Sequence, residues 1–103
     1  MKVIRRDRAL SDLADLALYI AQDNQEVADR FLDAVEEAVD RIAQLPYIGT
    51  AHPSSNPALL GLRRWPINGF EKYLIFYLVF EDTIDLVRIL HSARDLTHIL
   101  EGE

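Results

Sequence analysis

The sequence predicts an α+β domain in which a helical hairpin packs on one face of a small antiparallel sheet, in the order β-α-α-β-β-β. Three observations predict it. Two stretches, about residues 8–22 and 27–45, carry apolar side chains at helical spacing. Tyr73 to Phe80 is an unbroken run of eight apolar residues rich in aromatic and β-branched types, the length of a strand and far short of a membrane span. The polar turn Glu81-Asp82-Thr83 then leads into a second β-rich run, Ile84 to His91, and two such runs joined by a short turn form an antiparallel hairpin.

Taken in order, Lys2 to Arg5 is a short β-branched strand and Asp7 is placed to cap the helix that follows. Leu10, Leu13, Ala14, Ala17, Ile20 and Ala21 share one stripe of that helix, with Asp12 and Asp15 off it. Asp23-Asn24-Gln25-Glu26 has the spacing of a capping box. The second helix has the clearest pattern: Val27, Ala28, Phe31, Leu32, Val35, Ala38, Val39, Ile42 and Leu45 form a stripe, and Asp29, Asp33, Glu36, Glu37 and Asp40 face away as a solvated surface. Glu26–Arg30 and Glu37–Arg41 add i,i+4 support of ~0.2–0.5 kcal/mol each. Pro46 and Gly49 stop the helix. Tyr47 to Leu60, with its prolines and serines, reads as a loop. Leu62 to Ile67 is a strand in which Pro66 marks an end, an edge or a bulge, and Asn68-Gly69 is the strongest turn signal in the chain. Ala93 to Leu100 closes as a short turn of helix.

Composition narrows the function. With 103 residues, half of them hydrophobic, residues 1–103 make one domain with one core. There is no cysteine, so no disulfide and no thiolate ligand or nucleophile. His52, His91 and His98 are too scattered for a metal site, so neither metal nor cofactor is expected. The opening MKVIRRD is not a signal peptide and no membrane-length run follows, which makes the cytoplasm the expected location. The net charge is −6. An acidic chain is a poor general nucleic-acid binder, because phosphate neutralisation dominates that affinity, and no sequence-specific nucleic-acid contact is expected.

Strand parity sharpens one question. Tyr73, Ile75, Tyr77 and Val79 share one face of the first hairpin strand, and Leu74, Phe76, Leu78 and Phe80 the other. By the same alternation Val87 and Ile89 share a face, and Ile84, Leu86 and Leu90 share the opposite face with Arg88. A buried unpaired guanidinium is very costly. Arg88 should therefore point away from the helices, beside Leu74, Phe76, Leu78, Leu86 and Leu90. That face is apolar and little of the chain remains to cover it, so a partner is expected there.

The chain resembles the RelE/ParE superfamily of toxins from type II toxin–antitoxin modules, the ParE branch most closely. The resemblance runs through MKVIR, DRFLDAVEEAVDRIAQLPYIG, LRRWPI, YLIFYLVF and VRILHSARDL, nearly the whole length. It implies a compact toxin held in a hetero-oligomer with a ParD-like antitoxin whose C-terminal part wraps over it. ParE-type members inhibit DNA gyrase, whereas RelE-type members cut messenger RNA on the ribosome, and the shared fold does not choose between these. Cleavage needs a general base, a general acid and cations at the phosphate. The candidates here are Arg63, Arg88, His91 and Arg94, with Arg64 and Lys72 nearby in sequence. Leu74 and Leu78 stand where relatives often carry arginine, and no tyrosine follows His91. This favours binding over catalysis. The resemblance then implies antitoxin contact at Leu74, Phe76, Leu78, Leu86, Arg88 and Leu90, and target contact at Arg64, Trp65, His91 and Arg94. The alternatives are a ribosome-dependent endonuclease and an inactive antitoxin-binding module. Structural uses compete for the same residues: Arg88 in an internal ion pair, His91 as a hydrogen-bonded strand end, Trp65 as edge packing, and Arg94-Asp95 as a cap.

Overall fold

The computed structural model describes residues 1–103. Strand β1 (Lys2–Arg5) leads directly into helix α1 (Asp7–Asp23), and α2 (Gln25–Gln44) returns antiparallel to it. Asn24 alone joins the two helices. Its extended backbone donates an amide to Ile20 O, ending α1, while its Oδ1 accepts from Val27 N at 3.2 Å, starting α2. The capping residue is thus one position later than the Asp23–Glu26 spacing predicts, because a single-residue connection leaves room for one cap only. Likewise Arg6 occupies the N-cap of α1, and Asp7 lies in its first turn, where a carboxylate favours the helix dipole.

Next come β2 (Thr50–Ala51), a 3₁₀ turn (Pro57–Leu59), β3 (Arg63–Ile67), β4 (Phe70–Phe80), β5 (Thr83–His91) and α3 (Leu96–Glu101). The spatial order is β1-β5-β4-β3-β2. Strands β2 to β5 are antiparallel neighbours, and β1 lies parallel to β5, with Lys2 opposite Thr83 and Arg5 opposite Leu86. The α+β architecture is the one the sequence predicts, on a sheet of mixed direction. β2 falls within the stretch read as loop: two residues are too few to show alternation.

On the helical face, Ala9, Phe31, Val35, Val39 and Ile42 pack on Ile67, Ile75, Tyr77, Ile84, Leu86 and Ile89. Phe31 meets Phe70 and Tyr73 edge to face, each at 5.2 Å. The buried side of α1 is rotated from the predicted stripe. Ala9, Asp12, Leu13, Leu16 and Ile20 turn inward, and Leu10 and Ala14 are exposed.

A bulge explains a second departure. Phe76 stands opposite Arg88 but Tyr77 opposite Leu86, so Val87 is an extra residue in β5. Residues before the bulge exchange faces relative to strict alternation. Ile84 and Leu86 therefore face the helices, and Val87 faces away with Leu74, Phe76 and Leu90. Tyr73, Ile75, Tyr77, Val79 and Ile89 face the helices as predicted.

The outer face is largely filled by the chain itself, which corrects the expectation that a partner must cover it. Leu59, Leu62 and Leu100 close over Leu74, Phe76, Val87 and Leu90, with Leu96 and Ile99 at the margin. The covering segments are short, but all their leucines and isoleucines except the exposed Leu60 are spent on this face. Asp95 caps α3 through His98 N at 3.2 Å, so the cap is Asp95 rather than the Arg94-Asp95 pair. Asn56 Nδ2 donates to Leu100 O at 3.0 Å and to Glu103 O at 2.9 Å, tying the loop to the tail. No helix is long and apolar enough to cross a membrane.

Candidate functional site

Arg88 has an internal solution. Its side chain is 9% exposed. Nε and Nη2 donate to the two oxygens of Asp12 at 2.7 and 2.8 Å, and Nη1 donates to Glu103 Oε1 at 2.7 Å. Asp12 also accepts from Ile89 N at 3.0 Å. The position of α1 makes this possible. β1 ends where Arg6 N donates to Leu86 O, so the β5 edge beyond that point lacks a strand partner, and the first turns of α1 bring Asp12 against it. The Asp12 hydrogen bonds, with the one to Glu103, raise the pKa of the Arg88 guanidinium above its ordinary range against the opposing effect of burial. Arg88 is therefore a cation whose carboxylates come from α1 and the C-terminal tail. The internal ion pair weighed as the structural use of Arg88 is thus made with two carboxylates, and neither Asp12 nor Glu103 was legible as its counterion, since sequence spacing does not show a contact 76 residues apart.

The other candidate cations are dispersed. Arg63 donates to Gly49 O at 2.7 Å and sits 5.0 Å over the Tyr47 ring. Beneath it the buried Tyr77 hydroxyl donates to Pro46 O at 2.7 Å and accepts from Gly49 N at 2.9 Å; burial raises its phenol. Gly49 is required by this approach, because a Cβ there would lie 2.6 Å from Tyr77 Oη and 2.8 Å from Arg64 O. Arg64 approaches His52 Nδ1 at 3.4 Å. A guanidinium only donates, so His52 accepts at Nδ1 and carries its proton on Nε2. Burial first, then Arg64, lowers the His52 pKa. Trp65 packs at the margin of the helix-side core, which is the structural use. His91 stands opposite Tyr73, its ring 4.9 Å from that ring, and its Nδ1 accepts from Ala93 N at 3.0 Å. Arg94 and Lys72 are exposed.

The register keeps these groups apart. Arg63 pairs with Tyr77 and His91 with Tyr73, a separation of about 13 Å along β4 at the usual rise, and Arg88 between them is sealed. Arg63, Arg88, His91 and Arg94 do not converge on one open site. No group of three or more His, Asp or Glu side chains is placed to hold a metal ion.

What stays open is apolar. At the hairpin end of the outer face, beyond the reach of α3, a groove of about 590 Å³ is lined by Ile4, Pro57, Ala58, Leu60, Leu78 and Phe80. The Arg6–Asp85 ion pair, at 3.0 and 2.9 Å, forms one wall. Of the six residues expected to meet an antitoxin, Leu78 is half-buried and lines this groove, while Leu86 faces the helices and Leu74, Phe76, Arg88 and Leu90 lie beneath the chain's own turn and tail. Strand parity had already placed Phe80 beside Leu78; Ile4 and Leu60 carried no signal of their own.

Two helices over one face of a mixed five-stranded sheet, with an apolar groove at the hairpin end, describe a small α+β domain. The chain belongs to the family described as ParE toxin of type II toxin–antitoxin system, parDE, whose model matches residues 3–96. Among solved structures it is similar to a chain of the chromosomal ParDE TA system from P. aeruginosa, with a TM-score of 0.69 and 22% sequence identity over 88% of this chain and 95% of that one. At that identity the likeness is one of fold. No curated protein matches the sequence. Membership of a toxin–antitoxin family implies an antitoxin as partner.

Proposed function

We propose that this chain is a toxin that acts by binding DNA gyrase in the cytoplasm, without catalysis of its own, and that a cognate ParD-like antitoxin silences it in a hetero-oligomeric complex. One observation carries the choice of binding over cleavage. Arg88, the cation best placed on the sheet to meet a phosphate, is buried and neutralised by Asp12 and Glu103. A ribonuclease of this fold needs cations and a proton-transfer pair gathered on an open surface. Here Arg63 is committed to loop carbonyls, and one nitrogen of His91 to a backbone amide. Arg64, Trp65, His91 and Arg94 are the residues proposed to touch the target, through charge and stacking at the rim of the domain.

The test is expression of the chain alone and together with its cognate ParD-like antitoxin. Alone, it should arrest growth and induce the DNA-damage response while messages stay intact; together, growth should recover. Messages cut at ribosomes, with cutting lost in His91→Ala or Arg94→Ala, would instead identify an endonuclease. No growth effect from a folded chain that still binds the antitoxin would identify an inactive antitoxin-binding module.

A further inference from the structure

We infer that Leu45, Tyr47, Arg63 and Trp65 receive an acidic segment of the toxin's protein target, with Arg63 taking a carboxylate side-on between Nε and Nη2. This rests on the reading of the chain as a binder of gyrase, and it names the surface used and the chemistry that surface meets. Charge is unevenly divided. Residues 41–70 hold Arg41, Arg63 and Arg64 and no acidic residue, a net charge of +3. The rest of the chain holds all 17 acidic residues and the other 8 basic ones, a net charge of −9. The basic stretch runs from the last turn of α2 through β2 to β3, the two strands on the side of the sheet away from β1. An acidic molecule thus has one basic side, and that side selects negative charge in a partner.

Within it Arg63 is held in place but only half satisfied. Nη1 donates to Gly49 O at 2.7 Å and to Tyr47 O at 3.3 Å, and the guanidinium lies 5.0 Å from the Tyr47 ring centroid. Nε and Nη2 donate to nothing in the chain, and no carboxylate lies within ion-pair distance. The same Nε–Nη2 edge is the one that Arg6 presents to Asp85 and Arg88 to Asp12. On Arg63 this fork is open, and a carboxylate is the group it matches. The mount is rigid, because Tyr77 Oη holds Pro46 O and Gly49 N on either side of Tyr47. Binding therefore costs little further side-chain freedom.

The surroundings favour protein over nucleic acid. Leu45 is 52% and Tyr47 66% exposed. Trp65 shares the helix-side face of β3 with Arg63 and lines a cleft with Arg41. Carboxylates enter only in that cleft, as Glu37 and Glu71. Tyrosine, tryptophan and arginine around an apolar centre are the types that carry binding energy between proteins. Phosphate binding instead asks for many cations along one track.

The test is calorimetric titration of purified gyrase, with and without DNA, by the chain and its variants. Arg63→Glu and Tyr47→Ala should each weaken binding at least about tenfold, as loss of an interface anchor does. Arg63→Lys keeps the charge and loses the fork, and should fall between. Arg30→Glu makes the same charge change on the exposed side of α2 and should bind as the unaltered chain does. Unfolding curves establish that each variant is folded. Unchanged gyrase affinity of both Arg63→Glu and Tyr47→Ala overturns this surface and leaves the gyrase reading standing. Binding that appears only with DNA present overturns it in favour of phosphate contact. Loss of antitoxin binding in these two variants, with gyrase binding kept, overturns it in favour of the antitoxin. Self-association of the chain that Arg63→Glu abolishes, with gyrase binding kept, overturns it in favour of a second copy. A folded chain that binds no gyrase in either condition overturns the underlying reading as well.

Discussion

Replacing Asp12 by alanine removes three hydrogen bonds at once: two from Arg88 and one from Ile89 N. Both side chains of the pair are about nine-tenths buried, so water does not readily replace the lost carboxylate. Breaking a buried pair from one side typically costs about 3–5 kcal/mol. Glu103 still holds Nη1, which places the expected loss near the lower end, at ~3 kcal/mol. A domain of this size has on the order of 5–15 kcal/mol in all, so urea unfolding should show a clearly lowered midpoint with little change in slope. Asp12→Leu combined with Arg88→Met and Glu103→Gln should recover much of the loss, because it removes all three charges of the cluster and keeps most of the volume. A double-mutant cycle then isolates the coupling. A loss below about 1 kcal/mol for Asp12→Ala would refute the view that this pair fixes α1 to the β5 edge.

Phe31 is fully buried between α2 and the sheet, and Phe31→Ala should lower the unfolding free energy by ~3–5 kcal/mol; a loss below about 1 kcal/mol contradicts the core assignment. Tyr77→Phe leaves Pro46 O and Gly49 N without the hydroxyl and should cost about 1–3 kcal/mol, measured by the same unfolding curves. His52 has a lowered folded pKa from burial and Arg64, so the unfolded chain takes up the proton first. Its contribution to stability is full above about pH 6.5 and is lost as pH falls through the folded value. His52→Gln should flatten the pH dependence of stability in that window, and an unchanged slope counts against the assignment.

The features legible in the sequence were those written in periodicity. The α2 stripe from Val27 to Ile42, the β4 alternation and the Asn68-Gly69 turn each depend on neighbours a few residues away. The parallel direction of β1 and the bulge at Val87 have no local signature, and the bulge alone moved Ile84 and Leu86 to the helical face. The physical argument about Arg88 was sound in demanding a partner for a buried guanidinium. It left an internal ion pair and an outside partner as competing readings, because Asp12 reads as a solvated helix residue until α1 is known to sit against the β5 edge. Leu59, Leu62 and Leu100 were likewise too dispersed to announce themselves as the cover of the outer face, whereas Leu78 and Phe80, named from parity alone, lie on the part that remains open.

The most direct test of the account is DNA cleavage by purified gyrase in the presence of the purified chain. The account predicts that the chain stabilises gyrase-bound breaks or blocks supercoiling in proportion to its concentration, that the antitoxin reverses the effect, and that programmed ribosomes given the same chain keep their message intact. Unaffected gyrase together with message cut at the ribosome would contradict it.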